Sequence, residues 1–318
     1  MPRLEVLGLK AYYFSDGGII RGVDGINFEI SDGQSLGIVG ESACGKSTLG
    51  AALMQSIQPP GRIVEGSITL GDDDITKMSS SEFDSKIRWK RIAMVFQGAM
   101  NALDPVYTVE SQLREILVQH HFQDKKIDDK ITESLQEVGL DVSIAKRYPH
   151  ELSGGMKQRV VIAMALLLKP DVLIADEPTT ALDMLVQSQI ISLLKKLQKE
   201  KGITIILITH DLALVSQITD RIGIMYAGQL VEFSTTKDIY KNPRHPYTQA
   251  LIEAIPRLST KDKKIHFVKG SPPSLLSPPP GCRFQDRCAY AMDVCKRDPP
   301  EFETETGYVR CWLYEKSE

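Results

Sequence analysis

The sequence predicts an α/β protein whose core is a mainly parallel β-sheet covered by helices. Three observations lead to this prediction: short apolar runs alternate with segments of helical periodicity, one apolar run leads into a glycine-rich loop, and another ends in two carboxylates. Such an alternation is typical of parallel sheets, in which each crossover connection is a helix. The 318 residues exceed one typical core, so we expect two domains or one large domain with an appendage.

The individual elements follow from the spacing of apolar residues. Strands are predicted at short apolar runs and at runs with a period of two, namely residues 4–9, 26–30, 36–39, 92–96, 172–175 and 204–208. Helices are predicted where the period is three to four residues, namely at 48–57, 110–119, 130–138, 155–168 and 187–199. Residues 221–226 and 229–233 flank Ala227-Gly228, which predicts a β-hairpin.

The bulk composition is ordinary for a soluble globular protein, with 42% hydrophobic and 25% charged residues. A net charge of −3 does not indicate the basic surface that non-specific binding of nucleic acid requires. The longest apolar run, residues 160–168, has nine residues, whereas a membrane-spanning helix needs about 20. The N-terminus lacks the apolar core of a signal peptide, so we expect a cytoplasmic protein without a transmembrane segment.

The sequence GESACGKS at residues 40–47 fits the phosphate-loop pattern G-x-x-x-x-G-K-[ST] in full. Backbone N–H groups of such a loop wrap phosphate oxygens, and the following helix N-terminus adds partial positive charge. Lys46 can reach the β- and γ-phosphates, and the Ser47 hydroxyl can bind Mg²⁺. The predicted nucleotide-binding residues here are Gly40, Ser42, Ala43, Cys44, Gly45, Lys46, Ser47 and Thr48. The alternative is a chance match in a glycine-rich turn; Cys44 is expected to fill space rather than to sense redox state.

The apolar run 172–175 ends in two carboxylates, Asp176 and Glu177. A carboxylate at a strand end beside a phosphate loop can hold Mg²⁺, so Asp176 is expected to bind the metal directly or through water. Glu177 is the predicted general base that polarises the attacking water. The alternative is an acidic turn after a core strand, since Asp-Glu-Pro also favours turns.

A second candidate surface for phosphate lies in the sequence LSGGMKQR at residues 152–159. Ser153 is a predicted helix N-cap, and Gly154 and Gly155 leave backbone N–H groups exposed at the start of that helix. Taken alone, Ser-Gly-Gly is more typical of an ordinary loop.

These motifs stand in an order that resembles the ATP-binding-cassette (ABC) ATPase family. The matching positions are residues 40–47, Gln97, residues 152–156, Asp176 with Glu177, residues 181–183 and His210, and the resemblance covers roughly residues 4–235. It implies a P-loop NTPase of the ABC type, with a mainly parallel core sheet, an antiparallel N-terminal β-subdomain and a helical subdomain. Ala43 and Met156 depart from the usual glycine and glutamine. Ala43 narrows the conformations open to the loop, but neither change removes a catalytic group.

The resemblance also implies roles for individual side chains. Tyr13, with Tyr12 as second choice, would stack on adenine, although a strand aromatic packed in the core is the alternative. Gln97 would touch Mg²⁺ and the lytic water, and His210 would donate a hydrogen bond to the γ-phosphate. Asp183 would lie near the site of a second copy. The expected catalytic set is Lys46, Gln97, Glu177 and His210, and the expected Mg²⁺ ligands are Ser47, Gln97 and Asp176.

ABC-type cassettes bury ATP between the phosphate loop of one copy and the LSGG segment of another, head to tail. Ser153, Gly154 and Gly155 offer donors suited to a γ-phosphate. The sequence contains one cassette, so the resemblance implies a second ATPase subunit, identical or homologous. Switching such a pair from mostly open to mostly closed takes about 5.5 kcal/mol of differential binding, which two sandwiched Mg·ATP molecules could supply.

Four of the five cysteines fall in the last 37 residues: Cys282, Cys288, Cys295 and Cys311, spaced C-x₅-C-x₆-C-x₁₅-C. In a reducing compartment this clustering predicts a metal or iron–sulfur site rather than disulfides. Four thiolates suit Zn²⁺ or an iron–sulfur cluster, and the spacing does not choose between them.

Residues 242–248 (NPRHPYT) and 281–288 (GCRFQDRC) are similar to the C-terminal extension of dipeptide and oligopeptide importer ATPases. That resemblance favours a [4Fe–4S] cluster, with Zn²⁺ as the alternative, in a structural role that pins the tail. The implied domains are residues 1–240, a nucleotide-binding domain with a helical subdomain at about 100–165, and residues 241–318, an extension with a proline-rich linker at 270–281 and the four-cysteine region.

The predicted function is the ATP-hydrolysing subunit of a di- or oligopeptide importer at the cytoplasmic face of the cell membrane. Two membrane permease subunits would be its partners, an extracytoplasmic peptide-binding protein would act indirectly, and no nucleic acid would bind. A nickel or metal-complex importer is the first alternative, because such importers share parts of the tail. A soluble ABC ATPase acting on nucleic acid or ribosomes is less favoured, because the chain has one cassette, no coiled coil and an acidic balance. A third alternative makes the cluster primary, with ATP as its regulator.

Overall fold

A computed structural model describes residues 4–122, 126–255 and 270–315, which divide into two compact units. The first unit combines Met1–Lys77 with Leu207–Glu318, and the second is Met78–Ile206. The second unit is thus an insertion into the first, and the cysteine-rich extension belongs to the same unit as the phosphate loop. The part of the predicted extension between residues 256 and 269 lies outside the described residues.

The strands in chain order are β1 (Leu4–Ser15), β2 (Gly18–Ile30), β3 (Ser35–Val39), β4 (Gly61–Leu70), β5 (Asp73–Asp74), β6 (Ile92–Val95), β7 (Val172–Asp176), β8 (Thr204–Thr209), β9 (Arg221–Tyr226), β10 (Gln229–Thr235), β11 (Phe302–Thr304) and β12 (Gly307–Val309). The α-helices are α1 (Lys46–Leu53), α2 (Ser80–Lys86), α3 (Val109–Gln119), α4 (Ile127–Glu137), α5 (Gly154–Leu166), α6 (Met184–Lys201), α7 (Leu212–Ile218), α8 (Thr236–Lys241) and α9 (Pro246–Glu253).

The first unit contains an antiparallel sheet in the order β2-β1-β4-β5. It also contains β3, which runs parallel to β9, while β10 is antiparallel to β9. β3 is buried along its whole length, as expected for a strand covered on both faces. The hairpin of β11 and β12 extends this second sheet through antiparallel pairing of β12 with β10, so the C-terminal extension adds strands to the unit.

The second unit contains the parallel pair β6 and β7, both buried, together with helices α2 to α6. Side chains that accept hydrogen bonds from backbone N–H groups start four of these helices: Ser79, Thr108, Ser153 and Asp183. Residues 100–165, the predicted helical subdomain, hold α3, α4 and most of α5, and their described part contains no strand.

The predicted strands and helices are all observed, and their ends differ from the prediction by up to eight residues. The largest difference is at β2, predicted from residue 26 and observed from residue 18, because register shifts along its pairing with β1 interrupt the period of two. Strand β4 was missed, since only its C-terminal half is buried and Gly66 at a φ of +92° breaks its alternation. The predicted β9–β10 hairpin is confirmed. Across the described residues, no helix is both long and apolar enough to cross a membrane.

Gly37 in β3 leaves no room for a side chain, because a Cβ there would lie 2.2 Å from Cγ1 of Val215 on α7. We expect Gly37→Ala to lower the free energy of unfolding by about 2 kcal/mol through overpacking. In a Val215→Ala background, where the obstructing methyls are gone, the same change is expected to cost much less. Urea denaturation of the four proteins measures this coupling. Equal losses of unfolding free energy in both backgrounds would show that the contact with Val215 is not the cause of the destabilisation.

Candidate functional site

Backbone contacts within the first unit fix the two glycines that frame the phosphate loop. A Cβ on Gly40 would lie 2.1 Å from the carbonyl oxygen of Met225. Gly45 has a φ of +103°, and a Cβ there would lie 1.9 Å from the carbonyl oxygen of Gly22. The loop therefore packs against main chain at both ends, which explains why the pattern requires glycine at these positions.

Between the two glycines the loop turns through Ala43, whose φ of +61° lies in the left-handed region. Glycine adopts this conformation without the steric cost of a Cβ, so alanine at this position stores backbone strain, as its departure from the family pattern suggests. Next to it, Cys44 is 1% exposed, and its carbonyl oxygen accepts a hydrogen bond of 2.8 Å from Gly228 N–H. Burial raises the pKa of the Cys44 thiol. A protonated buried thiol is a poor nucleophile, in keeping with a space-filling residue.

Lys46 lies at the start of α1 with its ammonium held at the loop. Its Nζ donates to the carbonyl oxygens of Gly40 and Glu41, each at 2.8 Å, and the residue is 6% exposed. Ser47 is exposed and Thr48 is half-buried in the first turn of the same helix. The helix N-terminus, a lysine ammonium and a serine hydroxyl are thus gathered at one loop, which is the donor set that a polyphosphate requires.

The two candidate adenine-stacking tyrosines differ in their surroundings. The Tyr12 hydroxyl donates to Asp24 and is committed to that contact. Tyr13 pairs with Gly61 across β1 and β4, and a Cβ on Gly61 would lie 2.5 Å from the Tyr13 ring. The Tyr13 ring thus lies half-buried against a glycine surface, and it remains the first choice for stacking. His210 is exposed between the end of β8 and the start of α7, where Asp211 caps the helix by accepting from Ala213 and Leu214 N–H.

The candidate hydrolytic residues of the second unit meet at the ends of β6 and β7. Asp176 ends β7 and is 3% exposed. Glu177 follows with a φ of +46°, a left-handed conformation that is uncommon for this residue type. Its Oε2 accepts from Gln97 Nε2 at 3.2 Å and from Thr180 Oγ1 at 2.9 Å. The structure therefore joins Gln97 and Glu177, and it adds Thr180, which the sequence did not single out.

The predicted N-cap of α5 is confirmed, since Ser153 Oγ accepts from Met156 N–H at 3.3 Å. Ser153 and Gly154 are exposed. A Cβ on Gly155 would lie 2.7 Å from Cγ1 of Val186 on α6, so glycine lets the two helix starts pack closely. The side chain of Asp183 caps α6 by accepting from Val186 N–H at 3.0 Å. The second unit thus places the LSGG segment beside the segment that contains Asp183.

The four tail cysteines line one small cavity in the first unit, together with His245, Phe284 and Trp312. Cys295 and Cys311 are buried, Cys282 and Cys288 are half-buried, and none of the chain's cysteines, all within the described ranges, forms a disulfide. Backbone N–H groups of Tyr290 and Met292 donate to the sulfurs of Cys288 and Cys295 at 3.3 and 3.5 Å. In the part of the chain that the structure describes, no group of three or more His, Cys, Asp or Glu residues is arranged to hold a metal ion.

The electrostatics of this cavity disfavour bare thiolates at Cys282 and Cys311. Burial, and then the neighbouring cysteines, raise the pKa of Cys282 to about 12, and burial raises that of Cys311 to about 11. Burial also lowers the pKa of His245 to about 3, so its imidazole is neutral, and Nδ1 accepts from Tyr247 N–H at 3.0 Å. A bound cation would favour the thiolate form of Cys282 and Cys311.

Comparison with known proteins identifies two matching families. Residues 23–180 match the family described as ABC transporter, and residues 231–295 match that described as oligopeptide/dipeptide transporter, C-terminal region. The chain is 44% identical to the oligopeptide transport ATP-binding protein AppD of Bacillus subtilis, an alignment that covers 98% of this chain and 97% of the relative. It is 43% identical to the dipeptide transport ATP-binding protein DppD of Caldanaerobacter subterraneus, again over 98% and 97%.

Solved structures of cassettes are similar in fold. The dimeric bacterial ABC transporter cassette MJ0796 has a TM-score of 0.65 at 28% identity, covering 73% of this chain and 98% of the cassette. CbiO1 from Clostridium perfringens, part of the ABC transporter complex cbiONQ, has a TM-score of 0.67 at 30% identity, covering 75% and 90%. The predicted ABC-cassette P-loop NTPase fold is therefore confirmed.

The close approach of Gly45 to Gly22 predicts that Gly45→Ala weakens nucleotide binding, because the new Cβ displaces the loop from Gly22. We expect the dissociation constant for Mg·ATP to rise at least about tenfold, which corresponds to about 1.4 kcal/mol. Gly25→Ala is the matched control, since Gly25 also has a positive φ, of +74°, but has open space around it. Titration calorimetry measures both. Equal affinities in the two variants would contradict the proposed role of this packing.

Proposed function

Because this chain belongs to the family of ABC transporter ATP-binding proteins, we propose that it hydrolyses ATP to power the import of di- or oligopeptides through a membrane permease. The observation that supports the peptide assignment is the near-complete alignment with ATP-binding proteins of peptide transport, together with the family match of the C-terminal region at residues 231–295, which contains Cys282, Cys288 and Cys295. The phosphate loop and the Gln97–Glu177 pair supply the chemistry of hydrolysis.

In the first unit, the phosphate loop would bind the triphosphate. Its backbone N–H groups and the N-terminus of α1 would donate to the phosphate oxygens. The backbone of the loop would not need to reorganise for this, because packing already sets its shape. Lys46 would exchange its bonds to the carbonyls of Gly40 and Glu41 for bonds to phosphate, and its charge would offset that of the β- and γ-phosphates. Tyr13 would stack on the base, and His210 would donate to the γ-phosphate.

In the second unit, Glu177 would accept a proton from the attacking water. The hydrogen bonds from Gln97 and Thr180 orient its carboxylate. We assign Mg²⁺ binding to Ser47, Gln97 and Asp176, whose hydroxyl, amide and carboxylate oxygens are ligands that this ion prefers. When bound, Mg²⁺ neutralises charge on the β- and γ-phosphates.

Two copies of the cassette, or this chain and a homologous one, would close head to tail on ATP. Ser153, Gly154 and the N-terminus of α5 are exposed and present donors, as a surface for another subunit's γ-phosphate requires. Asp183 and the following Met184, which is 86% exposed, would lie at the same interface. Hydrolysis would then remove the contacts that favour closure.

The permease subunits, the extracytoplasmic peptide-binding protein and a location at the cytoplasmic membrane face belong to the same proposal. Val106 and Tyr107 in the second unit are 69% and 55% exposed, and such a large exposed apolar pair favours a protein partner there. The alternative is a metal-complex importer. An uptake assay distinguishes it from a peptide importer, because the two differ only in the solute they transport.

Glu177→Gln tests the assignment of the general base. In the reconstituted transporter we expect Mg·ATP binding to be kept, ATP hydrolysis to fall about 10²- to 10⁴-fold, and peptide uptake to stop with it. Glu200→Gln, a change at an exposed ion pair on α6, is the control and should match the wild type. Hydrolysis near the wild-type rate in Glu177→Gln would refute the assignment. Uptake of nickel complexes but not of peptides would refute the substrate class.

We also propose that Cys282, Cys288, Cys295 and Cys311 hold a [4Fe–4S] cluster. The fit rests on four thiols lining one cavity and on backbone N–H groups that donate to two of the sulfurs. Bound there, the cluster would cross-link the segment 282–295 to Cys311 and pin the tail.

Cys295→Ser tests the cluster, because it removes a buried ligand while changing few atoms. Anaerobically purified wild-type protein is expected to be brown and to contain about four iron atoms and four sulfides per chain, whereas the variant should lose colour and iron. Cys44→Ala, which removes the cysteine outside the cavity, should retain both. Colourless wild-type protein with stoichiometric zinc would reverse the assignment.

A further inference from the structure

The cysteine-rich tail contacts the phosphate loop directly through Arg287. The guanidinium of Arg287 donates from Nη1 to Oε2 of Glu41 at 2.8 Å and from Nη2 to Oε1 at 2.9 Å. Glu41 is the second residue of the phosphate loop, and both residues belong to the first unit. The Arg287 side chain is 6% exposed and that of Glu41 is 26% exposed. Such a two-pronged and largely buried ion pair holds the carboxylate in one position.

Glu41 is held a second time through its backbone. Its N–H donates to the hydroxyl of Tyr247, a buried residue of α9, at 3.0 Å. Tyr247 packs against Tyr226 and Phe284, with ring centroids 4.7 and 5.4 Å away, and Nη1 of Arg287 also donates to the Tyr226 hydroxyl at 3.1 Å. One aromatic cluster therefore supports both contacts to Glu41. A displacement of Arg287 would consequently shift the phosphate loop at Glu41.

The position of Arg287 is in turn set by the cysteine cavity. Arg287 ends the short 3₁₀ turn Gln285–Arg287 and immediately precedes Cys288. Its N–H donates to the Phe284 carbonyl at 3.0 Å, and Cys282 N–H, at the start of the same segment, donates to Cys295 O at 2.8 Å. Cysteines that line the cavity therefore lie on both sides of the turn that carries the guanidinium.

The charge of Glu41 matters because the loop receives an anion. A carboxylate beside a triphosphate opposes its binding unless a cation offsets it. Lys46 is committed to the phosphates in the proposed mechanism, whereas Arg287 is bonded to both oxygens of the Glu41 carboxylate. Arg287 thus neutralises the one acidic residue of the loop and fixes the loop at that residue.

We propose that Arg287 is a positioning residue for nucleotide binding, through which the cysteine-rich tail sets the affinity of the phosphate loop for ATP. The inference rests on the proposed binding of ATP at this loop. It assigns to the C-terminal extension a role in nucleotide binding in addition to the pinning of the tail. Its chemistry is specific: the two N–H donors of the Arg287 guanidinium offset the Glu41 charge and hold that carboxylate in one position.

The test uses the full-length chain and measures the Mg·ATP dissociation constant by calorimetry and the unfolding temperature in parallel. Arg287→Met is expected to raise the dissociation constant about tenfold, because the Glu41 carboxylate loses its counter-charge. Adding Glu41→Gln removes that charge and is expected to restore more than half of the lost affinity on a logarithmic scale. Arg287→Lys, which keeps the charge but loses the fork, should lie between wild type and Arg287→Met.

Arg310→Met is the matched control. Arg310 also precedes a tail cysteine, is 11% exposed at its side chain and pairs with Asp298 at 2.8 Å, but it makes no contact with Glu41 in the described structure. It is expected to lower the unfolding temperature without changing the dissociation constant. An unchanged affinity in Arg287→Met, an equal loss in Arg310→Met, or no recovery on adding Glu41→Gln would each overturn the proposal.

The experiment still distinguishes the outcomes if one variant does not fold or if the wild type does not bind nucleotide. If Arg287→Met does not fold, Arg287→Lys with and without Glu41→Gln gives the same comparison with a smaller expected loss of about threefold. Wild-type protein that fails to bind Mg·ATP would refute the proposed function itself, whereas wild-type binding with unaffected Arg287 variants would refute this inference alone.

Discussion

The contact on which the rest of the molecule depends is the close packing of the phosphate loop against main chain from remote segments. Gly40 lies against the carbonyl of Met225, Gly45 lies against the carbonyl of Gly22, and the Cys44 carbonyl accepts from Gly228 N–H. These contacts fix the loop from outside, so that its N–H groups can serve a ligand. Preorganised donors of this kind bind anions without paying for their own ordering.

In the second unit, the carboxylate of Glu177 is likewise held in one position by its surroundings. Glu177 leaves a buried strand in a left-handed conformation, and two side-chain donors hold its Oε2. Backbone strain at such a position persists only where the surroundings over-determine it, and it is common at functional sites. In the first unit, the extension adds a further hold on the loop at Glu41 through Arg287 and Tyr247. Rigid support from several segments is therefore a shared property of the residues proposed to handle ATP.

The elements that could be predicted from the sequence are those that depend on a local pattern of residues. The buried strands, the helices α1 and α3 to α6, the phosphate loop and the hairpin at 221–233 were all recognisable from hydropathy period or motif. Strand β4 was not, because its exposed half lacks alternation, and the hairpin β11–β12 is only three residues a strand. The Arg287–Glu41 pair could not be predicted, since the two residues are 246 positions apart and neither belongs to a motif that requires the other. The grouping of four cysteines was predictable, whereas the metal proposed to bind there could not be chosen, because the choice depends on sulfur positions that the spacing does not define.

In the proposed mechanism, this chain provides one wall of an ATP site whose opposite wall is the LSGG segment of another subunit. The most direct measurement is a structure of the assembled transporter carrying Glu177→Gln and loaded with Mg·ATP. We expect Ser153 and the first N–H groups of α5 in one subunit to donate to the γ-phosphate held by the phosphate loop of its neighbour. Phosphates enclosed by a single chain, with Ser153 facing solvent in every copy, would contradict it.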